Sequence, residues 1–128
     1  MTPLIPISWG ELIDKIVILE IKVERLKSES ARDNVRRELE ELSVIAGDVE
    51  KQHAKITALK TDLKRTNETL WQIEDDIREK ESQKSFDDEF VALARAVYRT
   101  NDERGRIKRE INALLKSDVT EEKQYSRY

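Results

Sequence analysis

The amino-acid composition indicates one helical domain rather than a sheet protein or a disordered chain. The chain has 128 residues, of which 38% are hydrophobic and 40% charged, with only three glycines and two prolines. Sheet proteins need more of these turn-forming residues, and disordered chains lack the regular apolar spacing found here. The net charge is only −3, from 24 basic and 27 acidic residues that are interspersed. This balance disfavours a nucleic-acid-binding function.

Targeting and redox signals are also missing from the sequence. The absence of cysteine excludes disulfides and thiolate metal sites. The opening residues, MTPLIPISWGEL, lack the basic region of a signal peptide, and no apolar run approaches membrane-spanning length. We therefore expect a cytoplasmic protein that does not contact a membrane, and we expect no cofactor.

The N-terminal residues predict an extended segment followed by a sharply defined helix. Pro3 and Pro6 disfavour helix over residues 1–7. Ser8 and Glu11 then form a capping box, the pattern that begins a helix. The helix that follows is strongly apolar on one face.

The next region predicts a kink or break in this first long helix. Residues 28–34, SESARDN, are polar and rich in helix-capping types. A helical period then resumes and stops at Gly47, which suits the residue just after a helix end. Asp48 suits the cap of the following helix.

The middle of the chain carries the clearest periodicity. Seven residues are spaced alternately by three and four positions and predict a long helix over 49–83 with a coiled-coil-like seam: Ile56, Leu59, Leu63, Thr66, Leu70, Ile73 and Ile77. Ser85 and the acidic residues after it mark a new helix start, which predicts a last helix over 86–116.

These elements predict an all-α fold, an elongated antiparallel three-helix coiled-coil-like bundle whose first long helix is kinked or broken near residue 30. We divide the chain into an extended segment, residues 1–7, a helical domain, residues 8–117, and a polar tail, residues 118–128.

Glu20 breaks the apolar pattern of the first helix. On a helical wheel it falls in the middle of the apolar face, between residues that should be buried. A buried carboxylate must be paired, hydrogen-bonded or neutralised. We therefore predict that Glu20 is mostly buried and contacts an arginine, tyrosine or tryptophan of another helix.

Antiparallel packing predicts which residues meet Glu20. Folding the chain about Gly47–Asp48 and again about residues 83–85 places several polar residues at one level of the bundle. The predicted site consists of Glu20, Trp71, Glu74, Asp75, Arg78, Arg95, Tyr98, Asn101 and Asp102.

Two interpretations of this predicted site remain open. It is either a structural ion-pair network that fixes the helix register, or a pocket in which Arg78 and Arg95 bind an anionic ligand. We favour the structural network. Two arginines beside the carboxylates argue against a metal ion, and no nucleophile lies in a catalytic arrangement.

Three strings resemble an uncharacterised family of bacterial and phage helical domains of unknown function. They are SWGELIDKIVILEIK at 8–22, LWQIEDDIREKE at 70–81 and ARAVYRTNDERGRIKREIN at 94–112. The resemblance covers nearly the whole chain. Because some members of that family accompany glycosyltransferases or tetratricopeptide repeats, the resemblance implies a link to cell-surface sugar metabolism, but it implies no catalytic residue.

The function that we predict is a non-catalytic helical module that binds a protein partner or associates with itself. The alternative is a small all-helical enzyme or ligand-binding protein that uses the arginine, glutamate and tyrosine residues of the predicted site for an anionic metabolite. A nucleic-acid-binding arm is disfavoured by the charge balance.

Overall fold

A computed structural model describes residues 1–119 and 121–127 of the chain. This part of the chain contains four α-helices and no β-strand. They are α1 (Trp9–Arg25), α2 (Glu29–Gln52), α3 (Ala54–Ser82) and α4 (Asp88–Leu114). The all-α fold is thus confirmed, whereas the predicted count of three helices is wrong.

The structure decides between the two alternatives that were predicted near residue 30, a kink or a break. Leu26 adopts an extended conformation that ends α1, and Ser28 caps α2 by accepting a hydrogen bond from the amide of Ala31. The helix is therefore broken, not kinked. The two pieces pack against each other, so the chain reverses its direction here.

The predicted helix end at Gly47 is wrong. The helix continues through Gly47 and ends five residues later, at Gln52. A glycine that follows a helix end usually has a positive φ angle, but no glycine in the described chain has one. The actual break is at His53, whose extended backbone separates α2 from α3 without a capping hydrogen bond from its side chain. No polar cap marks this boundary in the sequence.

The turn between α3 and α4 lies close to its predicted position. Asp87 is the N-cap of α4, and its carboxylate accepts a hydrogen bond from the Phe90 amide and another from Lys80. The hydrogen bond from Lys80, followed by that from Phe90, lowers the pKa of Asp87 to about 2. Acidic residues at this end of α4 also interact favourably with the helix dipole.

Helix α1 has more buried residues than any other helix and packs against α2, α3 and α4. Its residues Ile13 and Val17 join a core cluster with Ile56 and Leu63 of α3 and with Ile107 and Ile111 of α4. A second, smaller cluster joins Leu12 and Ile16 of α1 to Ala46 of α2. The seam of α3 does face inward: Ile56, Leu63 and Ile73 are buried, and its other four members are partly buried.

Within the described residues, no helix combines the length and the apolar character that are needed to cross a bilayer.

Candidate functional site

Glu20 contacts a lysine rather than the predicted aromatic or arginine partner. Its Oε1 atom lies 3.7 Å from Nζ of Lys60 on α3, and its side chain is 26% exposed. Lys60 is closer to Glu50, at 3.0 Å. The predicted partner was wrong because the chain reverses at residues 26–28, which places Glu20 opposite residue 60 instead of residue 76.

The surroundings of Glu20 form an open groove of about 460 Å³ with alternating charges. Four glutamates face two lysines and an arginine there. The residues are Glu20, Glu24, Glu50, Thr57, Lys60, Thr61, Lys64, Arg65 and Glu68. The hydrogen bond to Glu24 raises the pKa of Lys64, as expected for a paired ammonium group. Among the residues described, no group of three or more potential ligands could hold a metal ion.

Four of the predicted residues do come together in a second groove, between α1, α3 and α4. Trp71, Glu74, Asp75 and Asn101 line a space of about 520 Å³. The arginine in this groove is Arg104, which the predicted site did not include. The ring of Trp71 is also covered by the guanidinium of Arg25, 5.8 Å from its centroid, a distance at which a cation attracts an aromatic ring.

The two predicted arginines do not face this groove. Arg78 pairs with Glu74 one helical turn away at 3.2 Å, and its side chain is 78% exposed. Arg95 is exposed on α4. The positions of Arg78 and Arg95 therefore do not support the binding of an anion between them.

The remaining predicted residues line a third space. Tyr98, Asn101 and Asp102 border a cleft between α4 and tail residues 123–127, with a volume of about 1020 Å³. Asn101 also borders the groove at Trp71. Seven of the nine predicted residues are thus distributed over three grooves, and Arg78 and Arg95 line none of them.

The most deeply buried charged group of the described chain is Asp14 on α1, only 1% exposed, which the sequence analysis did not identify. Its Oδ1 atom accepts hydrogen bonds from Nδ2 of Asn67 at 2.8 Å and from Nε of Arg104 at 3.0 Å. Its Oδ2 atom accepts another from Arg104 and lies 3.8 Å from Nζ of Lys108. The Asp14 carboxylate therefore links α1 to both α3 and α4.

Lys108 extends this network towards the tail. Its ammonium group donates to Glu11 at 2.8 Å and to Glu121 at 2.7 Å. Burial alone would lower the pKa of Lys108, but the hydrogen bonds to Glu11 and Glu121 and the charge of Asp14 raise it above its usual value. The hydrogen bond to Asp14 likewise raises the pKa of Arg104. Both basic groups are held in their charged form.

The first turn of α1 is bound to the end of α4. The amide of Gly10 donates to Oδ1 of Asn112 at 2.7 Å, and the amide of Trp9 donates to Oγ of Ser117 at 2.9 Å. Ser8 accepts from the amide of Glu11. The amides that a helix normally leaves unpaired at its N-terminus thus have partners.

Gly10 permits this close approach. A β-carbon at this position would lie 2.5 Å from the carbonyl oxygen of Lys108 and 2.9 Å from Oδ1 of Asn112. Real β-carbons do not approach other atoms so closely, so only glycine fits here.

One signal in the sequence could have identified Asp14. It lies on the same face of α1 as Gly10, Val17, Ile18 and Ile21, because these residues are three, four or seven positions away. On a helical wheel, Ile18 and Ile21 fall outside the main apolar face of α1. A helix that is apolar on two faces is enclosed by neighbours, and Asp14 lies on the second of these faces.

The Asp14 network is suited to holding helices together. Each charged group in it has an oppositely charged partner at hydrogen-bonding distance, so the polar groups are paired with each other. It joins residues of the first string, SWGELID, to residues of the third, RGRIKREIN. Two of the three strings that suggested a family are therefore in direct contact.

Comparisons with known proteins agree with that resemblance. Neither a curated protein nor a solved structure matches the chain. A family model described as a family of unknown function matches residues 4–128. The chain therefore belongs to this family of unknown function, DUF6165.

Proposed function

We propose that this chain is a non-catalytic interaction module that binds a protein partner through its N-terminal segment. The observation that carries the proposal is the exposure of apolar residues 1–7, which we name the N-terminal arm. Leu4 is 96% exposed and Ile5 is 74% exposed. Side chains of this kind are normally buried, because each stabilises a folded or bound state by roughly 1.5–3 kcal/mol when removed from water.

The conformation of the arm favours binding in a groove of another protein. Pro3 and Pro6 keep it out of a helix, and it precedes the Ser8 cap that begins α1. Short extended segments with proline bind apolar grooves at a small cost in conformational entropy. The exposed apolar side chains of the arm would supply the contacts.

The interior of the bundle supports the non-catalytic part of the proposal. The buried charged groups around Asp14 are paired with oppositely charged groups and so favour a structural role. The proposed biological context, cell-surface sugar metabolism, rests on the family resemblance alone.

The test is a double substitution, Leu4→Ser with Ile5→Ser. We expect the binding of a partner, or self-association if the partner is a second copy, to weaken by roughly 3 kcal/mol, or about a hundredfold in Kd. Sedimentation equilibrium measures self-association. For a different partner, crosslinking in lysate identifies the protein, and calorimetry with the purified partner measures the affinity.

The matched control is Val44→Ser, which removes an apolar side chain that is 81% exposed on α2. It should leave binding unchanged. If the arm variant binds as tightly as the control, the arm is not the binding segment and the proposal is wrong.

A further inference from the structure

The cleft between α4 and the tail, which we name the tail cleft, has more cationic than anionic lining residues. Its charged and aromatic lining residues are Tyr98, Asp102, Arg109, Lys123, Tyr125 and Arg127. Three of these residues are cationic and one is anionic. The groove at Glu20 has four carboxylates against three cations, and the groove at Trp71 has two against one. The tail cleft thus collects positive charge in a protein whose net charge is −3.

Two of these cations converge on one point above α4. A β-carbon at Gly105 would lie 3.5 Å from Nη1 of Arg109 and 3.6 Å from Nζ of Lys123. The guanidinium and the ammonium group are therefore close neighbours. Like charges at this separation repel each other, and an anion between them would relieve the repulsion.

In the part of the chain that the structure describes, carboxylates compensate these two cations poorly. Within the described chain Arg109 forms no ion pair. Lys123 has one long contact, 3.9 Å to Glu121, whose other oxygen is bound to Lys108 at 2.7 Å. By contrast, Lys108 and Arg104 nearby are each paired at hydrogen-bonding distance.

The walls of the tail cleft are suited to a ring. Tyr98 lines one side from α4, and Tyr125 lines the other from the tail. Aromatic side chains bind flat rings by stacking. A volume of about 1020 Å³ is at the upper end of the range for small-molecule sites, roughly 300–1,000 Å³.

We propose that the tail cleft binds a phosphorylated metabolite of nucleotide size. Arg109 and Lys123 hold the phosphate group over Gly105, as arginine and lysine do in other phosphate sites. Tyr98 and Tyr125 flank the ring of the ligand. This site is separate from the N-terminal arm and does not depend on the proposed protein interaction.

Calorimetric titration of the full chain with ADP and with inorganic pyrophosphate tests the site. We expect both probes to bind, and ADP to bind more tightly because its ring adds contacts with the tyrosines. Arg109→Met should weaken the binding of both probes by at least about tenfold, because a hydrogen bond to a charged group is lost. Tyr125→Ser should weaken ADP binding only, to the level of pyrophosphate.

Arg95→Met is the matched control, since Arg95 is an exposed arginine of the same helix that does not line the cleft. Circular dichroism of each variant checks that the fold is retained. The proposal is overturned if neither probe binds at millimolar concentration, or if Arg109→Met and Arg95→Met have equal effects. Equal affinity for ADP and pyrophosphate would overturn the assignment of a ring-bearing ligand.

Discussion

Asp14 combines the cost of burying a charge with several compensating contacts. Removing a carboxylate from water costs several kcal/mol. Arg104 offsets this cost with two hydrogen bonds and Asn67 with a third. Such a pair adds little net stability when intact, but loss of one partner leaves the other charge buried alone.

We predict that Asp14→Ala destabilises the fold by about 3 kcal/mol or more, because it leaves Arg104 without its carboxylate. Glu20→Ala should cost no more than about 1 kcal/mol, since Glu20 is partly exposed and its one lysine contact is long. Urea denaturation of the two variants measures both values. Equal losses would show that Asp14 is not the dominant buried carboxylate.

The difference between Asp14 and Glu20 shows which features of a buried acid can be predicted from the sequence. The helical wheel correctly indicated that a carboxylate on α1 needs partners. It selected Glu20 because it assumed one apolar face, whereas α1 is enclosed by three helices. The partners themselves lie 53 and 90 positions away in the chain, and spacing within a helix contains no information about such contacts.

Two glycines, both inside helices, have opposite structural roles. Gly10 lies where α1 approaches the backbone of α4. Gly47 lies within α2, and a β-carbon there would meet no atom within 4 Å. The first is required by packing, whereas the second only weakens its helix, because glycine in a helix interior is about 1 kcal/mol less favourable than alanine.

We predict that Gly10→Ala lowers the free energy of unfolding by about 1–3 kcal/mol, since the new methyl group collides with the backbone of Lys108. Gly47→Ala should instead raise the free energy of unfolding by up to about 1 kcal/mol. Chemical denaturation of the two variants serves as a matched comparison. Destabilisation by Gly47→Ala would instead support the predicted helix end at Gly47 and contradict a helix that continues through it.

Helix boundaries were predictable where a capping side chain marks them. Ser8 was identified by its spacing to Glu11, and the start of α4 by its run of acids. The boundary at His53 has no such marker, because its side chain makes no capping hydrogen bond. The helix end was therefore predicted at Gly47, whereas the break lies six residues later, at His53.

At the scale of the whole molecule, the sequence established the fold class but not the topology. The composition and the helical spacing of the apolar residues are properties of the whole chain. The all-α prediction was therefore unaffected by errors in the positions of individual helix ends. The predicted site depended on the position of every chain reversal. The unexpected reversals at residues 26–28 and at residue 53 separated Glu20 of α1 from the other predicted residues. The turn between α3 and α4 was predicted close to its actual position, and Asn101 lies near Trp71 and Glu74, but Arg95 and Tyr98 do not line that groove.

The first turn of α1, the second half of α4 and the tail meet through Lys108. The hydrogen bond from Lys108 lowers the pKa of Glu121 below its usual value of 4.5. A carboxylate with a lowered pKa in the folded state stabilises that state above its unfolded pKa, and this stabilisation is lost as the pH falls through the folded pKa. The attachment of the tail should therefore weaken below pH 4.5.

We predict that Glu121→Gln lowers the Tm near neutral pH and that its difference from the wild type disappears in acid. Thermal denaturation of both proteins from about pH 7 to about pH 3 measures this change. Glu122→Gln is the control, because Glu122 is exposed in the same segment and the substitution changes the net charge equally. A constant difference in Tm between Glu121→Gln and the wild type at every pH would mean that the charge of Glu121 is not what attaches the tail. An equal loss in both variants would assign the effect to net charge, whereas a loss in Glu121→Gln alone would assign it to the contact with Lys108.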